Sequence, residues 1–136
     1  RDRDTVEKAD FLKEICDQLR AWGVRSSIFI ETDASLIKKA KEIGVDRIEL
    51  YTGPYAEDYK ENREEAVKKY REAAELAGEL GLGLNAGHDL SLENLAFFKQ
   101  ECKGLLEVSI GHALISDALY LGIENTIQMY LAKLAE

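Results

Sequence analysis

The chain has 136 residues and a formal net charge of −8, from 26 acidic and 18 basic side chains. That is one domain's worth of chain, read as a single β/α unit over 1–136 and long enough to bury about two thirds of its extended surface. Acidic and basic residues interleave along helical faces, which speaks against nucleic-acid or membrane-surface binding, because both need a concentrated positive patch.

The opening Arg1-Asp2-Arg3-Asp4 carries no methionine and no charged-apolar-small leader, and it reads as a cut start. A first helix is predicted from about Thr5 to Trp22, with Phe11, Leu12, Ile15, Cys16, Leu19 and Trp22 on one stripe and Gly23 ending it. A strand follows over Val24 to Ile30. Asp33 is placed to cap the next helix, whose apolar face is Leu36, Ile37, Ala40 and Ile43 and whose stop is Gly44. A second strand runs from about Asp46 to Tyr51. After a longer loop containing Gly53-Pro54, Asn62 and Glu65 have capping-box spacing, and the next helix turns Ala66, Val67, Tyr70, Ala73, Ala74, Ala77 and Leu80 inward.

The third strand, Leu82 to Asn85, ends in Ala86-Gly87-His88, and Ser91 opens a helix reaching about Cys102. The fourth, Leu105 to Ile110, ends at Gly111-His112. A short apolar segment, Ala113 to Leu121, is broken at Gly122 before a final helix, Ile123 to Leu134. Helix and strand alternate throughout, the pattern of an α/β protein with a parallel sheet. No apolar run approaches the roughly 20 residues of a membrane span, so a cytoplasmic protein is expected. Cys16 and Cys102 lack metal-ligand spacing and read as reduced packing residues.

His88 and His112 are the chain's two histidines, and each follows a glycine at the end of an apolar strand. Open α/β sheets and β/α barrels assemble their sites at such strand ends, where glycine permits close approach. A helix amino terminus offers unpaired amides at the positive end of the dipole, so Gly111 and His112 are placed to hold a phosphate. The alternative is that Gly111 only permits the turn and His112 packs. His88 has Asn85, Gly87 and Asp89 beside it and no second histidine at helical spacing, which suits proton transfer better than metal binding, or else a helix cap. Glu49 lies between Ile48 and Leu50, and alternation turns it to the opposite face, the interior of a barrel. A carboxylate there is either used in catalysis or paired with a cation such as an arginine. Glu31 and Glu107 are weaker candidates on the same grounds, and Tyr51, Thr52 and Tyr55 border the same mouth.

Three runs, Ile48-Glu49-Leu50-Tyr51-Thr52-Gly53, Asn85-Ala86-Gly87-His88 and Ser109-Ile110-Gly111-His112-Ala113-Leu114-Ile115, stand in register with the strand Ser27-Ile28-Phe29-Ile30. In this order and at these separations they resemble the carboxyl-terminal half of the pyridoxine 5'-phosphate synthase family. The resemblance covers nearly the whole chain. It implies a TIM (β/α)8-barrel of which this chain supplies about four units, resembling strands five to eight, unless self-association completes it. It further implies a condensation of 3-amino-2-oxopropyl phosphate with 1-deoxy-D-xylulose 5-phosphate to pyridoxine 5'-phosphate, releasing inorganic phosphate and water, with no metal or organic cofactor. His88 matches the family's proton donor and Glu49 the carboxylate that assists the transition state. Gly111 and His112 match a phosphate-binding pair. Asp89 falls where many relatives have a glycine that contributes through its backbone. The family's acid-base histidine and glutamate, its substrate-binding asparagine and arginines, and its first phosphate-handling loop have no counterpart here. Half a barrel leaves two sheet edges and an apolar face open, so either a longer chain or a homo-oligomer is expected. Two other readings remain: another phosphosugar-handling barrel, although no strand-end lysine offers a Schiff base, and a half-barrel that self-associates and only binds anions.

Overall fold

A computed structural model describes residues 8–135. The elements in chain order are α1 (Ala9–Ala21), β1 (Ser27–Ile30), α2 (Ala34–Ile43), β2 (Arg47–Tyr51), α3 (Gly53–Glu79), β3 (Gly83–Gly87), α4 (Leu95–Glu101), β4 (Leu105–Ser109), α5 (His112–Leu121) and α6 (Ile123–Ala135). The segment Arg1-Asp2-Arg3-Asp4 and the expected helix start at Thr5 lie outside the described residues. Among the described residues no helix is long and apolar enough to cross a membrane.

The sheet order is β1-β2-β3-β4, and every neighbouring pair is parallel. Crossovers between parallel strands are almost always right-handed, so stepping repeatedly in one direction puts all the connecting helices on one face. Burial agrees with that arrangement. Ile48, Leu50, Leu84 and Ala86 lie almost fully buried under the helices, whereas Arg47, Glu49 and Tyr51 on the other face are half-buried. The helix-side core holds an aromatic trio: Tyr55 and Tyr70 lie 5.0 and 5.6 Å from Phe98, centroid to centroid. Their hydroxyls donate to the carbonyls of Asn94 (2.6 Å) and Tyr51 (2.8 Å), so burial leaves neither unsatisfied.

Local signals explain most boundaries. Asp33 accepts from the amides of Ser35 and Leu36 at the start of α2, and Gly44 ends that helix at φ +89°. The Asn62 side chain accepts from the Glu65 amide at 3.1 Å, as its spacing predicts. The stretch before Asn62, expected as a loop, is helical instead, and α3 kinks at Asn62 (φ −155°, ψ 91°). Pro54 in the first turn and the buried Tyr55 account for this, because proline presets the helical φ and Tyr55 anchors the turn in the core.

Strand β1 begins later than expected. The Ser26 carbonyl accepts from the amides of Asp46 and Arg47, and its own amide donates to the Asp46 carboxylate at 2.8 Å, which takes these groups out of the ladder. β3 runs longer, because Ala86 and Gly87 pair with β2 and β4. The regular turns of α4 begin at Leu95, and Ser91 caps the turn before them: its carbonyl accepts from the Leu95 amide at 3.0 Å and its hydroxyl from the Glu93 amide at 3.3 Å.

The α1 stripe packs only in part. Cys16 is buried and Leu12 and Leu19 are half-buried, but Phe11, Ile15 and Trp22 are exposed, Trp22 at 68%. At the opposite edge α5 has no buried residue, and Leu119 and Tyr120 stand 82% and 90% exposed. Both cysteines are free and buried, as expected of packing residues, and burial pushes the Cys102 thiol up to about 12.

Candidate active site

The face turned away from the helices is polar. Arg47 of β2 meets Glu107 of β4 at 3.0 Å and the Asn85 side-chain oxygen at 3.2 Å, and the Asn85 amide donates to Glu107 at 3.1 Å. Arg25, which precedes β1, reaches both Glu107 oxygens at 3.2 Å. A residue before the first strand can touch one on the last only if the sheet curls strongly toward this face, as a barrel wall does. Burial acts against the charged Glu107 carboxylate, but Arg25 and Arg47 prevail and hold its pKa below the usual value. The pairing anticipated for a carboxylate inside the barrel is therefore realised at Glu107. Among the described residues no cation pairs with Glu49.

Glu49 is accommodated by a glycine. A Cβ placed on Gly87 would lie 2.5 Å from the Glu49 Oε1 atom and 3.1 Å from the Ser109 Cβ atom, so a bare backbone lets the carboxylate lie across β3. Gly83 serves Arg47 in the same way, at 2.6 Å from its Cγ atom. This corrects the expected part played by Gly87, which makes room for a neighbouring side chain. The left-handed backbone falls one residue later, on His88 (φ +94°) and Asp89 (φ +58°). Such conformations cost non-glycine residues on the order of 1–3 kcal/mol each and gather at functional sites. The positive φ at Asp89 also explains why glycine suits this position.

The His88 imidazole is about half exposed and sits at the carboxyl end of β3. Its Nδ1 lies 2.8 Å from an Asp89 carboxylate oxygen, which leaves Nε2 as the ring atom open to a ligand. The Tyr51 ring meets it edge-on with centroids 4.8 Å apart, and Phe29 packs 6.0 Å from Tyr51. Glu49, His88 and Asp89 are thus brought together at the end of the β2–β3 pair.

Gly111 and His112 lie at the end of the adjacent strand, where Ser109 pairs with Gly87. His112 is exposed and opens α5, and the first bond of that helix runs from the Ile115 amide to the Gly111 carbonyl. The amides of His112, Ala113 and Leu114 precede it and face the rim without helical acceptors. Gly111 has a negative φ of −115°, so the turn itself does not require glycine, and an added Cβ would meet nothing within 4 Å. Glu31 borders a small cavity of about 120 Å³ with Tyr51, Lys69 and Tyr70, and neither histidine lines it. Tyr51 and Asp89 also border a groove of about 530 Å³ between the first turns of α3 and the loop after β3.

Two further residues hold this rim: Thr52, placed at the mouth by the sequence with loop packing as its alternative, and Asn94, which the sequence reading did not single out. Thr52 is fully buried, with its hydroxyl 2.6 Å from the His88 carbonyl. Asn94 donates to the Asp89 carbonyl at 3.2 Å. Their only sequence signal is a polar residue immediately after a strand and one immediately before a helix.

A singly wound parallel sheet, helices outside and a polar concave face with His88, Asp89 and His112 at the carboxyl strand ends define a β/α-barrel protein. The family profile described as "Pyridoxal phosphate biosynthesis protein PdxJ" matches residues 3–136. The pyridoxine 5'-phosphate synthase of Flavobacterium johnsoniae is 54% identical over 131 residues, 96% of this chain and 55% of that relative. Those of Christiangramia forsetii and Bacteroides thetaiotaomicron are 56% and 54% identical, over 94% and 93% of this chain and 54% of each relative. The chain belongs to the PdxJ family and spans about half the length of the curated relatives it matches, so its four β/α units are half of the family's barrel.

Proposed function

We propose that this chain forms the carboxyl-terminal half of a pyridoxine 5'-phosphate synthase, which condenses 3-amino-2-oxopropyl phosphate with 1-deoxy-D-xylulose 5-phosphate and releases inorganic phosphate and water. The observation that carries this reading is the placement of Glu49 across Gly87 beside the left-handed His88, in a chain of this family. His88 acts as the proton donor, presenting Nε2 while Asp89 holds Nδ1. Expelling water from an intermediate requires a proton on the departing hydroxyl, and a protonated imidazole beside it supplies that proton. Glu49, which pairs with no cation among the described residues, stabilises positive charge that develops on the reacting nitrogen or carbon. The Asp89 backbone and the amides after Gly111, together with His112, hold the phosphorylated substrates at the helix terminus.

The test is turnover of both substrates by the complete barrel carrying His88→Asn. It should fall by about two orders of magnitude, within the roughly 10²–10⁴-fold that general acid-base groups contribute, with phosphate affinity largely kept. Unchanged turnover rejects the acid role.

The apolar side chains left open on α1 and α5, and the bare edges of β1 and β4, favour association as a second feature of the protein. Their cover is the other four β/α units, supplied by a longer chain or by a second copy of this one. A cytoplasmic homo-oligomer fits this reading.

A further inference from the structure

Three consecutive carbonyls at the end of β3 are gripped by two buried residues from neighbouring elements. Thr52 donates its backbone amide to the Gly87 carbonyl at 2.9 Å and its hydroxyl to the His88 carbonyl at 2.6 Å. Asn94 donates its side-chain amide to the Asp89 carbonyl at 3.2 Å. Both braces are themselves fixed. Thr52 has no solvent exposure, the Asn94 carbonyl accepts from Tyr55, and its side-chain oxygen accepts from the Ser91 amide.

The backbone between these grips is strained. Histidine at φ +94° and aspartate at φ +58° are uncommon states, and the peptides beside them would turn over to relieve them if left free. Rotation of the His88–Asp89 peptide would relieve Asp89, carry the His88 carbonyl away from Thr52 and disturb the Asp89 carboxylate that meets His88 Nδ1 at 2.8 Å, freeing the imidazole to leave the Tyr51 ring. The hydroxyl of Thr52 opposes this rotation directly, because it is the partner of that carbonyl, and losing it strands a buried acceptor.

We infer that Thr52 is a positioning residue for His88: its hydroxyl locks the His88–Asp89 peptide, keeps the Asp89 carboxylate on Nδ1 and so holds the imidazole edge-on to Tyr51, on the concave face. The residue touches no reacting atom and acts only through His88. The inference rests on His88 being the proton donor for its effect on turnover, but not for its effect on geometry.

The test uses protein labelled at histidine Cε1, with the His88 and His112 signals assigned by substitution, in Thr52→Val and Thr52→Ser. Valine keeps the shape and the backbone amide but removes the hydroxyl, while serine keeps the hydroxyl. With ring centroids 4.8 Å apart, the parent protein should show a nuclear Overhauser contact between the His88 and Tyr51 rings. Thr52→Val should lose that contact and leave the His112 signal unmoved, and its kcat in the complete barrel should fall about 10-fold to 100-fold with KM within about twofold, the size expected of an ångström-scale misplacement. Thr52→Ser should restore both. A contact that persists in Thr52→Val, or that vanishes in Thr52→Ser, overturns the positioning role. If the contact behaves as expected but His88→Asn leaves turnover unchanged, the positioning stands and the acid role of His88 falls.

Discussion

At the level of single residues, the glycines separate into two kinds that look alike in sequence. Gly87 and Gly111 each precede a histidine at a strand end, yet a methyl group on Gly87 would displace the Glu49 carboxylate, and one on Gly111 would enter open space. Gly87→Ala therefore pushes a flexible side chain out of place. Turnover should drop about 10-fold to 100-fold from misplacement of Glu49, while a denaturation midpoint registers no more than about 1–2 kcal/mol. Gly111→Ala should leave stability within about 1 kcal/mol, as expected at a helix amino terminus. Its effect should instead appear as a raised KM, because the methyl occupies space where the anion approaches. Equal KM for Gly111→Ala and the parent would make that glycine a matter of chain geometry alone. The pairing of His88 with strand-end glycine was legible in the sequence. The left-handed backbone on His88 itself was not, because it arises from braces at Thr52 and Asn94, distant in sequence by 36 and 6 residues respectively.

At the level of elements, periodicity and capping carried the order of helices and strands, since Asp33, Gly44 and Asn62 each do what their residue types favour. Boundaries moved where side chains from elsewhere competed for backbone groups. Ser26 gives its amide to the Asp46 carboxylate rather than to the ladder. The interior carboxylates show the same limit. Alternation places Glu49 and Glu107 on one face, but only the curl of the sheet decides that Arg25 reaches Glu107. That pairing has a consequence for pH. The folded pKa of Glu107 lies below its ordinary value of 4.5, so the carboxylate contributes stability above that value and loses it as pH falls through the lowered folded pKa. Glu107→Gln should be less stable than the parent at pH 7, and urea midpoints should converge as pH drops below 4.5. A gap that stays constant down to the acid limit would show that the arginines do not act through charge.

At the level of the whole molecule, the chain is half of a barrel wall. Its outer layer is closed by Tyr55, Tyr70 and Phe98, but its ends are open, with Trp22 on one side and Leu119 and Tyr120 on the other. The sequence places Trp22 on the apolar stripe of the first helix and Leu119 and Tyr120 in a short apolar segment, and periodicity reports only which face is apolar. It does not report whether a neighbour stands against that face. In the proposed reading, completion of the barrel also brings the groups that this half lacks, and Glu49 and His88 work as parts of one site. Residues that act as a unit lose activity non-additively. The decisive measurement is product formation by the complete barrel carrying Glu49→Gln, His88→Asn and both together. The expected result is a double variant little worse than the more damaged single one. Losses that multiply, or either single variant at full rate, would contradict a shared site at this strand end.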